Sequence, residues 1–480
     1  MPKFIISSFI NISTPFRIVV ESEVIMKKFQ ISKYPILFTL LLFMVPIFVY
    51  AQNDSQAEGT GLQPMLHSEY VISKDANRLK HPSALAENPQ EQTECPLDPC
   101  EMWGCQSLPV CGSSRDSSFR LFQDGSRLKF QGWVESGLYT NAHGATSRYD
   151  ADGLMSNSGN GPNMVTGLRT TDYNMNQLWG RLIREMDCKN GLDWGFQADL
   201  VYGMYGYGVQ ACDNSFDSGW GSGDYGLGFH QLYGELGYKK LTARYGKFST
   251  LIGWEESPSW NNFFYSHSYC FNTEPCTHTG AMLYYQLTDG LKLAGGWTAG
   301  KENSFANRYG DQAFITGLEL ALTKKSTVYY YMTQGRLNDS FGAGYVTDYF
   351  NQSLCFEWNL TDQWTYVFQY DMYNANEYAT NRISSYGINN HLIYRFCKKW
   401  AVGLRAEWLR DNGVLAYEDA LGNSNDSDYV ELTLGLNYHP TDNLRIRPEI
   451  RYDHAFKNPI FAYGTKNEQL SGGFAILFGF

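Results

Sequence analysis

Phe474–Ala475–Ile476–Leu477–Phe478–Gly479–Phe480 closes the chain. Phe474, Ile476, Phe478 and Phe480 fall at every second position, so a strand carries all four on one face. A bare strand that is greasy on one side is an aggregation hazard in water. The same strand is at home in a closed barrel whose outer face meets lipid, because closure removes the edge. A buried closing strand of a soluble sandwich is the alternative reading of this segment.

The preceding residues favour the barrel. Val430, Leu432, Leu434, Leu436 and Tyr438 alternate with Tyr429, Glu431, Thr433, Gly435 and Asn437. Val402, Leu404, Ala406 and Trp408 alternate with Gly403, Arg405 and Glu407, and Leu444, Ile446, Pro448 and Ile450 with Arg445, Arg447, Glu449 and Arg451. Three turns share one pattern, Leu287–Thr288–Asp289–Gly290, Leu360–Thr361–Asp362–Gln363 and Pro440–Thr441–Asp442–Asn443. Asp suits tight turns because its side chain bonds the local backbone. With Lys324–Lys325 and Lys398–Lys399 these turns are spaced by 36, 37, 37 and 43 residues. Each interval holds two membrane strands, one long loop and one short turn. Counted this way, residues 128–480 give an all-β, transmembrane, antiparallel up-and-down barrel of about sixteen strands. The second and fourth strands have mixed parity, which leaves counts of fourteen and eighteen open.

Composition agrees. The 480 residues are 43% apolar and 16% aromatic, and the barrel region has no run of eighteen apolar residues that would make a membrane helix. A formal charge of −11 argues against a nucleic-acid partner. No Gly-rich phosphate loop, metal-ligand motif or cofactor signature stands out.

The amino-terminal region reads as targeting. Met26–Lys27–Lys28 opens a basic stretch, Ile36 to Val49 is apolar, and Val49–Tyr50–Ala51 fits a cleavage site. Residues 1–51 are therefore a targeting segment, with Met26 the better start and 26–51 the signal peptide. Residues 52–127 form a polar periplasmic lead-in carrying Cys95, Cys100, Cys105 and Cys111. Their spacing favours disulfides over zinc, with the pairing open.

Function should sit on the inward face. Arg445, Arg447 and Arg451 share one parity and form a column, with Arg405 nearby, Arg244 across the barrel, and Glu407, Glu431 and Glu449 between. They read either as an ion-biasing wall or as structural ion pairs. Gly435, on the same face, should look onto water. After the fifth strand, residues 250–278 carry Glu255, Glu256, Phe263, Phe264, Tyr265 and Tyr269. Exposed loops are seldom so aromatic, so the expectation is a loop folded into the lumen as a constriction. Cys270 and Cys276 are expected to pin it with a disulfide. Glu255 and Glu256 are expected to face the arginine column across the bore.

Arg244–Tyr245–Gly246–Lys247–Phe248, Glu256–Ser257–Pro258, Asn262–Phe263–Phe264–Tyr265 and Thr277–His278–Thr279–Gly280 resemble the β-barrel porin-2 (OmpL-like) family of exported bacterial proteins. The resemblance covers 125–480 and implies an outer-membrane pore without naming its solute. A looser resemblance to general trimeric porins rests on strand number and on the loop after the fifth strand, and brings in a homotrimer as one assembly. The functional expectation is passive diffusion of ions and small polar solutes, with outer-membrane lipid as the surrounding partner. The alternative is a structural or adhesive barrel acting through its loops and Cys-rich lead-in. An outer-membrane hydrolase would need a nucleophile beside a His, and His230 and His391 stand isolated in the sequence.

Overall fold

In the computed structural model the described residues are 127–480, apart from 143–172, 189–190, 212–215, 223–224, 306–309, 339–345, 378–380, 416–425 and 463. The targeting segment, the lead-in and Cys95, Cys100, Cys105 and Cys111 lie outside them. Sixteen long antiparallel strands follow one another. They are β1 (Leu128–Asn141), β2 (Tyr173–Arg184), β3 (Leu192–Gly203), β4 (Tyr225–Tyr238), β5 (Leu241–Ser249) and β6 (Thr277–Thr288). Next come β7 (Leu291–Thr298), β8 (Gln312–Thr323), β9 (Ser326–Asn338), β10 (Val346–Asn359) and β11 (Trp364–Glu377). The last are β12 (Asn381–Arg395), β13 (Trp400–Asn412), β14 (Asp426–Thr441), β15 (Leu444–Ala455) and β16 (Glu468–Gly479). A two-residue strand, Gly221–Ser222, pairs with the start of β4.

Each strand pairs with its neighbour in sequence, and β16 returns to β1 with Trp133 opposite Gly479 and Leu138 opposite Phe474. The closing strand is thus fully paired, and the seam ends on reciprocal bonds between Gly132 and Phe480 at 2.9 and 2.8 Å. The tight turns at 289–290, 324–325 and 442–443 lie on one rim together with both ends of the barrel.

The alternation sorts the side chains as the sequence requires. Leu434 and Phe478 are outward and about half exposed, at 52% and 47%, while Arg405, Arg447 and Thr433 on the inward parity are buried. Stacked or tilted outward rings mark the short-turn rim, Trp400 on Tyr438 at 4.1 Å and Trp364 on Tyr394 at 4.6 Å. Such rings suit a bilayer interface.

The mixed parity of β2 and β4 has a local cause. The β1–β2 register slips between Glu135 and Ser136, leaving Asn176 as an extra residue, and the β3–β4 register slips between Asp199 and Leu200, leaving His230. A bulge places two successive residues on the same side. Asn176 with Gln177, and His230 with Gln231, are accordingly both buried.

Candidate pore constriction

The chain between β5 and β6, residues 250–276, has little regular structure of its own. It contains one 3-10 turn at Ser259–Asn261 and a short helix α1, Tyr269–Thr273. Ser268 caps α1 by accepting the Phe271 N–H at 3.2 Å. Trp254, Phe263, Phe264, Tyr265, Tyr269 and Phe271 are all buried. A segment with so few internal bonds must satisfy its backbone elsewhere, and it does so on inward-facing side chains of distant strands.

β15 supplies the largest share. Arg445 donates to the carbonyls of Trp260 and Asn262 at 3.0 and 3.3 Å. Arg447 donates to Ser259 O, Asn262 O and Phe264 O at 3.0, 2.9 and 3.0 Å, and pairs with Glu135 of β1. Glu449 accepts the N–H groups of Tyr265 and Ser266 at 2.7 and 3.1 Å. Arg451 donates to His267 O at 2.6 Å and pairs with Asp453 at 2.7 Å.

β13 and β14 complete this side. Arg405 bonds Glu255 at 2.6 Å, Ser266 O at 2.7 Å and Glu431 at 3.0 Å. Glu407 accepts the N–H groups of Tyr269 and Cys270, both at 2.6 Å. That placement puts a carboxylate on unpaired donors at the start of α1. Asn437 holds Phe263 O at 3.0 Å. From other directions Gln177 of β2 bonds Ser257 O at 2.9 Å and Gln369 of β11 bonds Glu274 at 2.6 Å.

The rings have prepared seats. A Cβ at Gly403 of β13 would collide with the Phe263 ring, and one at Gly435 of β14 would stand 2.8 Å from Phe264 Cδ1. The two glycines face each other across the β13–β14 ladder. Only a missing side chain lets an aromatic ring lie this close to the wall. His391 of β12 packs 4.6 Å from the Trp254 ring and 5.7 Å from the Phe264 ring. Tyr265 completes the docking by accepting Asn176 Nδ2 at 2.7 Å, so the β2 bulge serves the loop directly.

Both signs of charge meet within the cluster. Arg405, Arg445, Arg447 and Arg451 sit with Glu135, Glu255, Glu407, Glu431, Glu449 and Asp453, all buried. Buried charges persist only when paired and hydrogen-bonded. Burial alone would raise the Glu255 carboxyl, but the Arg405 guanidinium at 2.6 Å and the His267 ring 3.7 Å away outweigh it and hold it well below the ordinary value.

Several expectations change. The Arg445–Arg447–Arg451 column does not face Glu255 and Glu256 across water; its guanidinium groups bind loop carbonyls, Glu135 and Asp453. Glu255 contacts Arg405 directly, and Glu256 accepts from Asn261 within the loop at 2.7 Å. Gly435 looks onto Phe264 instead of water. Cys270 and Cys276 are both thiols and are not bonded to each other. α1 directs the Cys270 N–H to Glu407, while Cys276 lies at the threshold of β6 with its N–H on Glu302 at 2.7 Å. Arg244 is separate from this cluster; it pairs with Glu235 at 2.6 Å and lies over Tyr233 at 4.0 Å. Glu135, Gln177, Asn437 and the two glycine seats were not foreseen. The signal for the glycines was present in their parity, which they share with Arg405 and Glu431.

The fold is similar to an anion-selective porin from Comamonas acidovorans (11% identity, TM-score 0.49, covering 74% of this chain and 99% of that one). It is similar to the outer membrane channel DcaP of Acinetobacter baumannii (9% identity, TM-score 0.48, 74% and 97%). It is also similar to OmpT of Vibrio cholerae in its trimer form (11% identity, TM-score 0.46, 74% and 99%). No curated protein matches in sequence. The family model "Putative beta-barrel porin-2, OmpL-like" matches residues 127–480, the whole barrel, and the chain belongs to that family of outer-membrane porins.

Proposed function

We propose that the protein is a bacterial outer-membrane diffusion porin in which residues 250–276 cross the barrel and narrow its bore. Ions and small polar solutes pass down their gradients, and no group changes its covalent state. The observation that carries the reading is the contact of Arg405 with Glu255 and Ser266. The loop leaves β5, and Arg405 stands on β13. In a ring of sixteen strands these two are diametrically opposed. A barrel of this size encloses more space than wall side chains fill, so a segment spanning it sets the aperture.

The paired charges support weak ion preference. Three of the four arginines pair directly with carboxylates, Arg405 with Glu255 and Glu431, Arg447 with Glu135 and Arg451 with Asp453, which cancels most of the field that a one-sided column would project. A homotrimer belongs to the reading as its assembly. The experiment is a planar bilayer under a salt gradient. Stepwise conductance with a small reversal potential is expected. A folded barrel that never conducts would instead favour the structural or adhesive role.

A further inference from the structure

We propose that a disulfide from Cys397 fastens the Cys-rich lead-in to the short-turn rim of the barrel, between β12 and β13, with one of Cys95, Cys100, Cys105 and Cys111 as its partner. The inference needs the barrel and not a conducting bore, so it stands apart from the function proposed above.

Cys397 lies in the tight turn that joins β12 to β13. The N–H groups of Phe396 and Cys397 both reach Trp400 O, at 3.0 and 3.4 Å, which fixes the turn. Phe396, Lys398 and Lys399 are exposed, yet Cys397 is only 8% exposed, so it is covered while its neighbours meet solvent. Of the described cysteines, Cys188, Cys270, Cys276 and Cys355 are thiols, whereas Cys397 is disulfide-bonded. Its partner therefore lies outside the described residues.

The chain holds ten cysteines, which leaves Cys95, Cys100, Cys105, Cys111 and Cys212 as candidates. Position removes Cys212. Ala211, next to it in the chain, donates its N–H to Asp217 at 2.9 Å, and Asp217 also accepts the Phe229 N–H of β4 at 2.8 Å. β4 and β12 stand on opposite sides of a ring of sixteen strands. At ~4.8 Å per strand and a tilt of ~40°, such a ring is about 30 Å across. Consecutive Cα atoms are only ~3.8 Å apart, and a disulfide needs its two Cα atoms within about 7 Å of each other. The four lead-in cysteines remain.

All four are within reach. The lead-in joins β1 at Leu128, on the same rim as the β12–β13 turn. Through β16, β15 and β14 that turn is roughly 25 Å away along the rim. The stretch from Cys111 to Leu128 spans up to about 56 Å when extended, and the other three cysteines have longer leads. The bond forms by thiol–disulfide exchange. The short-turn rim of such barrels faces the periplasm, where protein disulfides act as oxidants. One cysteine thiolate attacks the oxidant's disulfide, and the second thiolate then attacks the mixed disulfide. The two cysteines lose two protons and two electrons, and the oxidant leaves as a dithiol. Using one lead-in cysteine this way leaves three, so the cluster does not close on itself as two local bridges. The bond gives the lead-in a second attachment to the barrel besides the chain itself.

The test inserts a site-specific protease recognition sequence between Arg115 and Asp116 of the full chain, expressed in the outer membrane. Free thiols are alkylated, the chain is cleaved, and the products are run on denaturing gels with and without dithiothreitol. Without reductant the two pieces should stay joined as one band, and with reductant they should separate. In Cys397→Ser they should separate without reductant, leaving at least tenfold less joined band than the native chain. Two separate pieces from the native chain without reductant, or a joined band that persists in Cys397→Ser, would overturn the proposal. Peptide mapping of the unreduced native chain by mass spectrometry covers the case in which Cys397→Ser does not fold. It should link a peptide carrying Cys397 to one carrying Cys95, Cys100, Cys105 or Cys111. A link from Cys397 to Cys188, to Cys212 or to a second chain, or Cys397 alkylated as a thiol, would equally sink it. Conductance plays no part in either readout, so a barrel that proves non-conducting leaves the tether standing.

Discussion

Arg447→Met removes one guanidinium and keeps most of the side-chain volume. Three loop carbonyls lose the Arg447 N–H at 2.9–3.0 Å; Phe264 O is the most affected, since Ser259 O keeps the Asn262 N–H and Asn262 O keeps Arg445. Glu135, also buried, loses its counter-charge. Removing one partner of a buried pair costs about 3–5 kcal/mol, chiefly because the other charge is left stranded. At ~1.4 kcal/mol per factor of ten, docking of this stretch weakens by about a hundredfold to several thousandfold. Hydrogen–deuterium exchange of peptides covering 257–267 in detergent reads that number directly, since their amides exchange when the loop lifts from the wall. Exchange in this stretch should accelerate by at least a hundredfold, while strand peptides of β9 and β10 stay protected. Glu135→Gln combined with Arg447→Met should recover part of the loss, because no unpaired carboxylate remains. Exchange of 257–267 unchanged within threefold would refute the clamp, and with it the view that the arginine column holds the loop.

Leu434→Arg puts a charge on the lipid face and should cost about 2–4 kcal/mol if it lies near the bilayer midplane, read from the urea midpoint of refolding into vesicles. Gly403→Val fills the seat of Phe263; overpacking of this kind costs about 1–3 kcal/mol, and the urea midpoint should fall while the alternation of exposed and buried faces is kept. Glu255 gives a pH signature. Its carboxyl is held below the ordinary 4.5, so its contribution to docking is complete above that value and is lost only as pH falls well beneath it. The difference in loop exchange between the native chain and Glu255→Gln should thus be constant from pH 7 to 5 and shrink at lower pH, as the native carboxyl is protonated.

The fold was legible because it is repetitive. Sixteen alternating segments and short turns at regular intervals leave little freedom in topology, and each expected strand overlaps an observed one. Parity blurred only at β2 and β4, where Asn176 and His230 are inserted into the ladder and shift the following residues by one. The aromatic loop was legible from its own rings. Its anchors were not, since they lie on strands as far apart in sequence as Glu135 and Asp453 and are joined only by closure of the barrel. Alternation says that Arg447 points inward, but it does not say what lies opposite. That is why the column left an ion-biasing wall and structural ion pairs equally open, and why Gly435 read as solvated. The spacing of Cys270 and Cys276 was close enough for a bridge, yet sequence distance carries no information on side-chain direction, which α1 and the start of β6 set independently.

The most direct test compares unitary conductance of the intact chain with that of a variant in which residues 255–272 are replaced by a short Gly/Ser linker. Both are reconstituted in planar bilayers at the same salt concentration. Discrete steps are expected for the intact protein and clearly larger steps for the variant, because the segment that spans from β5 to β13 is gone. Equal step sizes, in two barrels that both fold, would contradict the claim that residues 250–276 set the bore.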